Sequence, residues 1–261
     1  VVHAVLQNKN MVMCINFIGE IINKIVKVGV IVFPGSNCDR DMFHVLADVF
    51  DLDTQYYWHE KGLPDNIDAV VLPGGFSYGD RLRAGVIAAN SPVINDVKKL
   101  ANKGIPILGV CNGFQILVES NLLPGVLLKN DSMNFMCEWT NLIVKNNTTP
   151  FTNKLELEQK IPIPIANGEG RYFVDDKLIK NLKKKNQIVF SYENYVNGSM
   201  EQIAGVCNED GNVVGMMPHP ERAAETEINP VDNKPSSLIF ESLIQSLSLI
   251  HISEPTRPRL I

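Results

Sequence analysis

The chain has 261 residues, of which 45% are hydrophobic and 20% charged, and its formal net charge at pH 7 is -5. These values are typical of a soluble globular protein. An acidic balance without a basic stripe gives no reason to expect a nucleic-acid partner, and no apolar run approaches the ~20 residues of a membrane span. The five cysteines show no CxxC or zinc-like spacing, so we expect no metal site and a reducing, cytoplasmic location.

The chain divides into one domain and two atypical ends. Residues 27–248 carry the globular pattern, which begins with the apolar segment Lys27–Phe33, predicted to be a buried first strand. Residues 1–26 are apolar but interrupted by polar side chains, and they lack the basic region and cleavage site of a signal peptide. Residues 249–261 contain two prolines without periodicity and resemble translated adapter sequence. We therefore assign the function to residues 27–248.

Strands and helices alternate in the first half of this domain. The turn Pro34–Asn37 is expected to cap a helix through Ser36 or Asn37, and apolar residues at helical spacing continue that helix to Phe50. Near-continuous apolar strands between helices indicate a parallel sheet covered on both faces. The other predicted elements are strands at Thr54–Trp58, Ile67–Leu72 and Ile105–Val110 and a helix at Pro92–Lys103.

The second half changes character, because its apolar segments are joined by short turns. Asp210-Gly211 between two such segments is a strong hairpin signal. The sequence thus predicts a single α/β domain with a mostly parallel central sheet flanked by helices, to which the second half adds antiparallel strands. The predicted strands of this half are Asn141–Lys145, Ile161–Ala166, Gln187–Tyr192, Gln202–Cys207 and Val213–Met217.

Cys111 lies in a G-x-C-x-G segment, between Gly109 and Gly113, directly after the fourth predicted strand. This is the thiol form of the nucleophile elbow, in which glycines allow a sharp strand-to-helix turn. Unpaired N–H groups at a helix N-terminus favour thiolate over thiol. Most lone cysteines are small buried apolar residues, but this flanking pattern indicates a nucleophile.

The segment Pro73–Asp80 follows the third predicted strand and begins with Gly74 and Gly75 after its proline. A thiolate that attacks an amide creates an oxyanion, which needs N–H donors already in place. The amide of Gly75 or Phe76, together with that of Asn112, is predicted to form this oxyanion hole. By itself the segment could equally be a plain glycine turn. The oxyanion hole is predicted because the segment occurs together with the Cys111 elbow.

His219 is the histidine that directly follows a predicted strand, in Met217-Pro-His-Pro-Glu221. In an extended segment residues i and i+2 face the same side. Glu221 is therefore expected to accept a hydrogen bond from the His219 ring, fixing its tautomer and supporting the imidazolium. The alternative is a surface turn made rigid by two prolines. His44 and His59 are interpreted as surface or packed histidines.

Four segments carry a resemblance to a known family: Val30–Asp39, Pro73–Asp80, Gly109–Gln115 and Gly215–Arg222. In these segments the chain is similar to class I glutamine amidotransferases, and more narrowly to glutaminase subunits of phosphoribosylformylglycinamidine synthase, an enzyme of purine biosynthesis. The similarity extends from about Lys27 to Ser246. It implies a flavodoxin-like fold, with Cys111 as nucleophile, His219 as acid and base, and Glu221 as orienting group. The residues predicted to bind glutamine or the oxyanion are Gly74, Gly75, Phe76, Asn112 and Gln115.

The resemblance also implies the reaction and the partners. L-Glutamine would be hydrolysed to glutamate and ammonia through a cysteinyl thioester, and the ammonia would pass to the ATP-dependent large subunit. A further partner would be a small accessory subunit. The chain has no P-loop motif, so no cofactor is expected in it, and ATP and Mg are expected on the synthetase. One departure is Asn167, which stands where the family pattern has a histidine and cannot titrate.

Two other functions stay open at this level. A different amidase or a peptidase could use the same cysteine elbow, or the chain could be a non-catalytic subunit that binds glutamine and regulates a partner. The complete set of Cys111, His219 and Glu221 argues against the second. A panel of amide substrates separates the first from a glutaminase.

Overall fold

In the computed structural model, which describes residues 26–230 and 236–253, a nine-stranded sheet forms the centre of the domain. Its order is β2-β1-β3-β4-β11-β10-β9-β6-β7, and β5 pairs with β8 in a separate two-stranded sheet. The strands are β1 (Lys27–Val32), β2 (Asp53–Trp58), β3 (Ala69–Leu72), β4 (Ile107–Val110), β5 (Val126–Leu128), β6 (Met136–Val144), β7 (Lys160–Asn167), β8 (Arg171–Phe173), β9 (Ile188–Tyr192), β10 (Ile203–Cys207) and β11 (Val213–Met216).

The predicted division of the sheet is confirmed. Strands β2, β1, β3, β4 and β11 are parallel neighbours, and β10, β9, β6 and β7 continue the sheet with antiparallel pairing. The hairpin predicted from Asp210-Gly211 connects β10 to β11. Parallel strands end at the same edge of a sheet, so the loops after β1, β3, β4 and β11 come together there. The alternating antiparallel order brings the end of β7 to the same edge.

The helices are α1 (Asp39–His44, continued by a π turn at Val45–Val49), α2 (Val93–Asn102), α3 (Asn112–Glu119), α4 (Asp176–Lys184) and α5 (Ser237–Ser253). Apolar residues at helical spacing join the hydrophobic core, as Val97 and Leu100 of α2 do. No helix in residues 26–230 or 236–253 is long and apolar enough to cross a membrane.

One sequence prediction is wrong here, and one helix was missed. Helix α1 begins after Cys38 without any side-chain cap, and the Ser36 Oγ instead accepts the Phe33 N–H at 3.0 Å. Capping by Ser36 or Asn37 is therefore wrong. Helix α5 was not predicted, although its buried Phe240, Leu243 and Leu247 have helical spacing.

The predicted domain ends can be compared with the described residues only in part. Val26, placed in the N-terminal segment, is fully buried, and its carbonyl accepts the Asp53 N–H at 3.2 Å. At the other end, α5 continues past the predicted boundary at residue 248 as far as Ser253. Residues 1–25 and 254–261 lie outside the described residues.

Candidate active site

Cys111 occupies the sharp turn between β4 and α3, as the G-x-C-x-G pattern predicts. Its backbone has φ 50° and ψ -106°, a combination that is strained for a residue with a side chain and is typical of functional sites. The turn depends on both glycines. A Cβ on Gly113 would lie 1.9 Å from the Leu72 carbonyl oxygen, and one on Gly109 would lie 2.7 Å from the Gly113 oxygen. The strand end and the helix start can therefore pack only without side chains at these positions.

His219 and Glu221 form the predicted hydrogen bond, with 2.7 Å between His219 Nδ1 and Glu221 Oε1. Both side chains are buried. The predicted reason is wrong, because Pro220–Arg222 is a 3₁₀ turn and not an extended segment. Burial alone would lower the pKa of His219, but the Glu221 carboxylate and contacts with the Cys111 and Cys38 thiols raise this pKa well above its usual value. The imidazolium is thus the favoured form.

Gly74 is the point at which the side chains of His219, Cys38 and Cys111 meet. A Cβ built on it would lie 2.7 Å from His219 Cε1, 3.1 Å from Cys38 Sγ and 3.4 Å from Cys111 Cβ. The bare Cα of Gly74 therefore leaves room for an imidazole and two thiols around one small space. The sequence places Gly74 in the oxyanion turn. The structure adds that its missing side chain is what lets His219 approach Cys111.

Cys38 was missed as a neighbour of the site. It is buried, and the Arg222 Nη2 donates to its Sγ at 3.0 Å, while the Arg222 Nε donates to Asp41 Oδ2 at 3.1 Å. Burial raises the pKa of Cys38, and the contact with His219 and the charge of Arg222 lower it only in part. The signal in the sequence was its position in the first loop beyond a parallel strand, at the edge where Cys111 also lies.

The N–H groups of Gly75 and Phe76, the two alternatives predicted to act as oxyanion donors together with Asn112, differ in their hydrogen bonding. The Phe76 N–H donates to the Gly35 carbonyl at 3.0 Å and is occupied. The Gly75 N–H makes no hydrogen bond within residues 26–230 and 236–253, and Gly75 holds φ 143°, a conformation that favours glycine. The Asn112 N–H is at the first position of α3, where a helix offers it no acceptor. Gly75 and Asn112 are thus the available pair.

A cavity of about 270 Å³ opens beside Cys111. Gln115 lies in its wall and is held at both ends of its amide. Its Nε2 donates to the Glu169 carbonyl at 2.7 Å, and its Oε1 accepts from Asn112 Nδ2 at 2.8 Å. Of the predicted residues, the cavity contacts Gly75, Phe76, Cys111 and Gln115. Its other lining residues are Asp80, Lys129, Met133, Asn134, Phe135, Ala166, Asn167, Gly168 and Glu169.

Charged and polar groups that the sequence did not assign also face this cavity. Burial, and secondly the charge of Glu169, raise the pKa of Asp80 to about 6. Lys129 contributes the opposite charge to the same wall. Asn167 is buried, and neither its Nδ2 nor its Oδ1 has a hydrogen-bond partner in the described part of the chain. Buried polar atoms are nearly always paired in proteins, so Asn167 is suited to bind a ligand.

Comparison with known proteins identifies the family to which the chain is similar. The family model for the CobB/CobQ-like glutamine amidotransferase domain matches residues 25–245. A chain in the structure of PurLQS from Thermotoga maritima is 47% identical, with a TM-score of 0.77 over 85% of this chain and 99% of that one.

More distant structures share the fold alone. A putative GMP synthase component from Thermoplasma acidophilum is 17% identical, with a TM-score of 0.55 over 88% of this chain and 98% of that one. The glutaminase domain of Trypanosoma brucei CTPS with bound acivicin is 16% identical, with a TM-score of 0.56 over 85% of this chain and 94% of that one. These proteins therefore share the sheet and its flanking helices with this chain although most of their residues differ.

Proposed function

Since this chain belongs to the CobB/CobQ-like glutamine amidotransferase family, we propose that it is the glutaminase subunit of a phosphoribosylformylglycinamidine synthase. Two findings support this narrower assignment: the family motifs at the four loop segments, and the 47% identity to a chain of PurLQS over almost the whole of that chain. The geometric observation that carries the proposal is the buried Glu221–His219 pair, which meets Cys111 across the bare Cα of Gly74.

The first half of the reaction forms a thioester. The Cys111 thiolate attacks the side-chain amide carbon of glutamine, and the resulting oxyanion is held by the N–H groups of Gly75 and Asn112. The His219 imidazolium gives its proton to the departing nitrogen. The C–N bond then breaks and ammonia leaves, while the glutamyl group stays on the sulfur. Glu221 holds the ring through Nδ1, so Nε2 is the atom that handles the proton.

The second half restores the thiolate. His219, now neutral, takes a proton from water, and the resulting hydroxide attacks the thioester carbon. The oxyanion forms again at the same two N–H groups, and the C–S bond breaks to release glutamate. Cys111 is then a thiolate and His219 an imidazolium, as at the start. One water is consumed for each glutamine, and no oxidant or metal enters the balance.

The cavity has the charges that a free amino acid requires. Asp80 and Glu169 lie on its wall, where they can face the ammonium group of glutamine, and Lys129 can face the carboxylate. The Asn167 amide is a further candidate to contact the bound substrate. Asp80→Asn should raise KM for glutamine more than it lowers kcat, because this residue binds the substrate and takes no part in bond breaking.

A partner surface adjoins the cavity. Phe76, Met133 and Phe135 line the cavity and are exposed, and exposed apolar patches of this kind mark protein interfaces. We assign this rim to the large synthetase subunit, which would also hold ATP and Mg²⁺, and a further partner would be a small accessory subunit. The described cysteines are all free thiols, in keeping with a cytoplasmic enzyme.

The test is ammonia release from glutamine by the purified chain, alone and with the synthetase, ATP and formylglycinamide ribonucleotide. We expect slow hydrolysis alone and a rise of at least ~10-fold with the loaded partner, which corresponds to about 1.4 kcal/mol of coupling. Cys111→Ser is the control for background hydrolysis. Faster turnover of other amides than of glutamine, unchanged by any synthetase, would instead identify a stand-alone amidase.

A further inference from the structure

Cys38 is a buried thiol for which the proposed reaction has no use, although it lies against the catalytic histidine. Cys38 Sγ, a ring nitrogen of His219 and a carboxylate oxygen of Glu221 all lie within 4.8 Å of one another. Cys111 borders the same space, since its Cβ and Cys38 Sγ would both contact a Cβ on Gly74. Two thiols and an imidazole thus converge on one small buried volume.

We propose that Cys38, Cys111 and His219 form a binding site for Zn²⁺ that inhibits the enzyme. Thiolate and imidazole are the ligands that zinc prefers, and three protein ligands leave a fourth position open for water. With zinc–ligand bonds of about 2.0–2.3 Å, ligand atoms of one tetrahedral ion lie roughly 3.5 Å apart. The ligand atoms of Cys38 and His219 already lie within 4.8 Å of each other, and Cys111 would join them by turning its Sγ about the Cα–Cβ bond, since its Cβ borders the same space.

The two ring nitrogens of His219 support this assignment. His219 Nε2 is buried and has no hydrogen-bond partner in residues 26–230 and 236–253, so it can offer a lone pair to a metal ion that displaces its proton. On the other side of the ring, Glu221 holds Nδ1 at 2.7 Å. This is the carboxylate–histidine arrangement that orients zinc-bound imidazoles in metalloproteins.

Charge also balances at this position. Cys38 and Cys111 as thiolates and Glu221 as carboxylate bring three negative charges, and Arg222, which donates to Cys38 Sγ at 3.0 Å, brings one positive charge. The net value of -2 matches Zn²⁺. The Arg222 hydrogen bond favours a thiolate at Cys38, as N–H donors do around metal-bound sulfur.

The site differs from a structural zinc site, because its ligands come from three loops far apart in the sequence. Ligands from separate loops need no regular spacing, so the lack of zinc-like cysteine spacing in the sequence does not exclude this site. Zinc bound here would engage the nucleophile and the base at once, so inhibition should be competitive with glutamine. Binding of zinc itself requires no glutamine and can be measured in its absence.

The direct experiment is a Zn²⁺ titration of the chelator-treated, intact chain against a competing metal indicator, with no glutamine present. We expect one equivalent to bind. Cys38→Ser should weaken binding by at least about tenfold, the scale on which even outer-shell partners affect zinc affinity. Cys207→Ser, which removes a buried thiol elsewhere in the sheet, is the matched control and should bind as the wild type does.

Co²⁺ provides a second measurement that reports on the ligands themselves. The thiolate-to-cobalt charge-transfer band should have about half its wild-type intensity in Cys38→Ser, in proportion to the thiolates lost. In the wild type, capping Cys111 with a glutamine-analogue electrophile should reduce the band in the same way. Cys38→Ala repeats the test with a second side chain, and circular dichroism confirms that each variant is folded.

The proposal is overturned if Cys38→Ser and the wild type bind Zn²⁺ equally, or if Co²⁺ gives no thiolate band. Its failure is separable from failure of the glutaminase assignment, because hydrolysis of glutamine in the presence of a chelator is measured independently. A chain that hydrolyses glutamine but binds no zinc keeps the first assignment and loses the second.

Discussion

Two loops of the molecule have nearly the same design but place a cysteine in different situations. Cys38 follows β1 and Cys111 follows β4, each after a glycine-containing segment and directly before a helix, and both face His219. Cys38 has φ -94° and ψ 10°, whereas Cys111 has φ 50° and ψ -106°. Only Cys111 lines the substrate cavity. Both thiols thus lie close to His219, and the backbone turn at Cys111 presents only this thiol to the cavity.

The two thiols also differ in the helix that follows them, in the effect of burial and in their hydrogen-bond partners. Cys111 is at the N-terminus of the eight-residue α3, whereas Cys38 precedes the six-residue α1. Burial raises the pKa of Cys38, and Arg222 occupies its sulfur. The two thiols therefore differ in their access to the cavity as well as in their charged neighbours.

Removal of the Cys111 sulfur should have the largest effect. Cys111→Ser should reduce glutamine hydrolysis by at least about 10⁴-fold, because a hydroxyl is a far weaker nucleophile with the same base and nucleophile removal in a triad costs more than this. Ammonia release is the measurement, and Cys137→Ser, at an exposed thiol, is the control. Activity of Cys111→Ser close to that of the control would exclude Cys111 as the nucleophile.

Loss of the imidazole should come next. His219→Ala should lower kcat by ~10²–10⁴-fold, the usual contribution of a positioned proton carrier. His44→Ala is the control, since His44 is exposed and pairs with Asp48 and Glu225 away from the site. If His219→Ala kept near-normal activity while His59→Ala lost it, His59 would have to replace His219 in the mechanism.

Gly74 tests whether the space shared by the two thiols matters. Gly74→Ala places a methyl group 2.7 Å from His219 Cε1, so the ring must shift by a large part of an ångström. We expect kcat to fall by about 10²-fold, as for other small misplacements of reacting groups. Gly104→Ala is not a matched control because of its positive φ; Gly62→Ala, whose nearest contact is the Asp96 carboxylate, is the better one. A loss of activity equal in both variants would point to stability instead.

The grouping of Cys111, His219 and Glu221 was predictable because its signals are local. The G-x-C-x-G elbow and the His-Pro-Glu segment each fit within a few residues of a strand end, and parallel topology brings strand ends together. The Glu221 hydrogen bond was predicted from an extended backbone and is made by a 3₁₀ turn. That agreement came from the short spacing, which permits contact in either conformation.

The surroundings of the site were less predictable because they depend on distant segments. Cys38 and Arg222 are 184 residues apart, and no local pattern indicates their contact. Asp80 and Lys129 share a cavity wall only through the packing of separate loops. Strands β5 and β8, of three residues each, are too short for an alternating pattern to be distinguished.

The orienting carboxylate should give a smaller effect than the histidine. Glu221→Gln should lower kcat by about tenfold, a fraction of the proton-transfer contribution, because the imidazole stays in place but loses its fixed tautomer and its charge partner. The ratio of kcat values for Glu221→Gln and His219→Ala is the quantity to measure. An effect of Glu221→Gln larger than that of His219→Ala would mean that the carboxylate takes part in proton transfer directly.

The smallest effect concerns the chemical reactivity of Cys38 in the folded protein. A glutamine-analogue electrophile should label Cys111 completely and leave Cys38 unlabelled, because Cys38 is buried outside the substrate cavity and burial favours its neutral thiol. Peptide mass spectrometry after labelling measures both sites in one sample. Protein unfolded in guanidinium and treated with iodoacetamide, which should label both thiols, is the control for detection. Equal labelling of Cys38 in the native protein would show that the two loops present their sulfurs alike, and the comparison between them would fail.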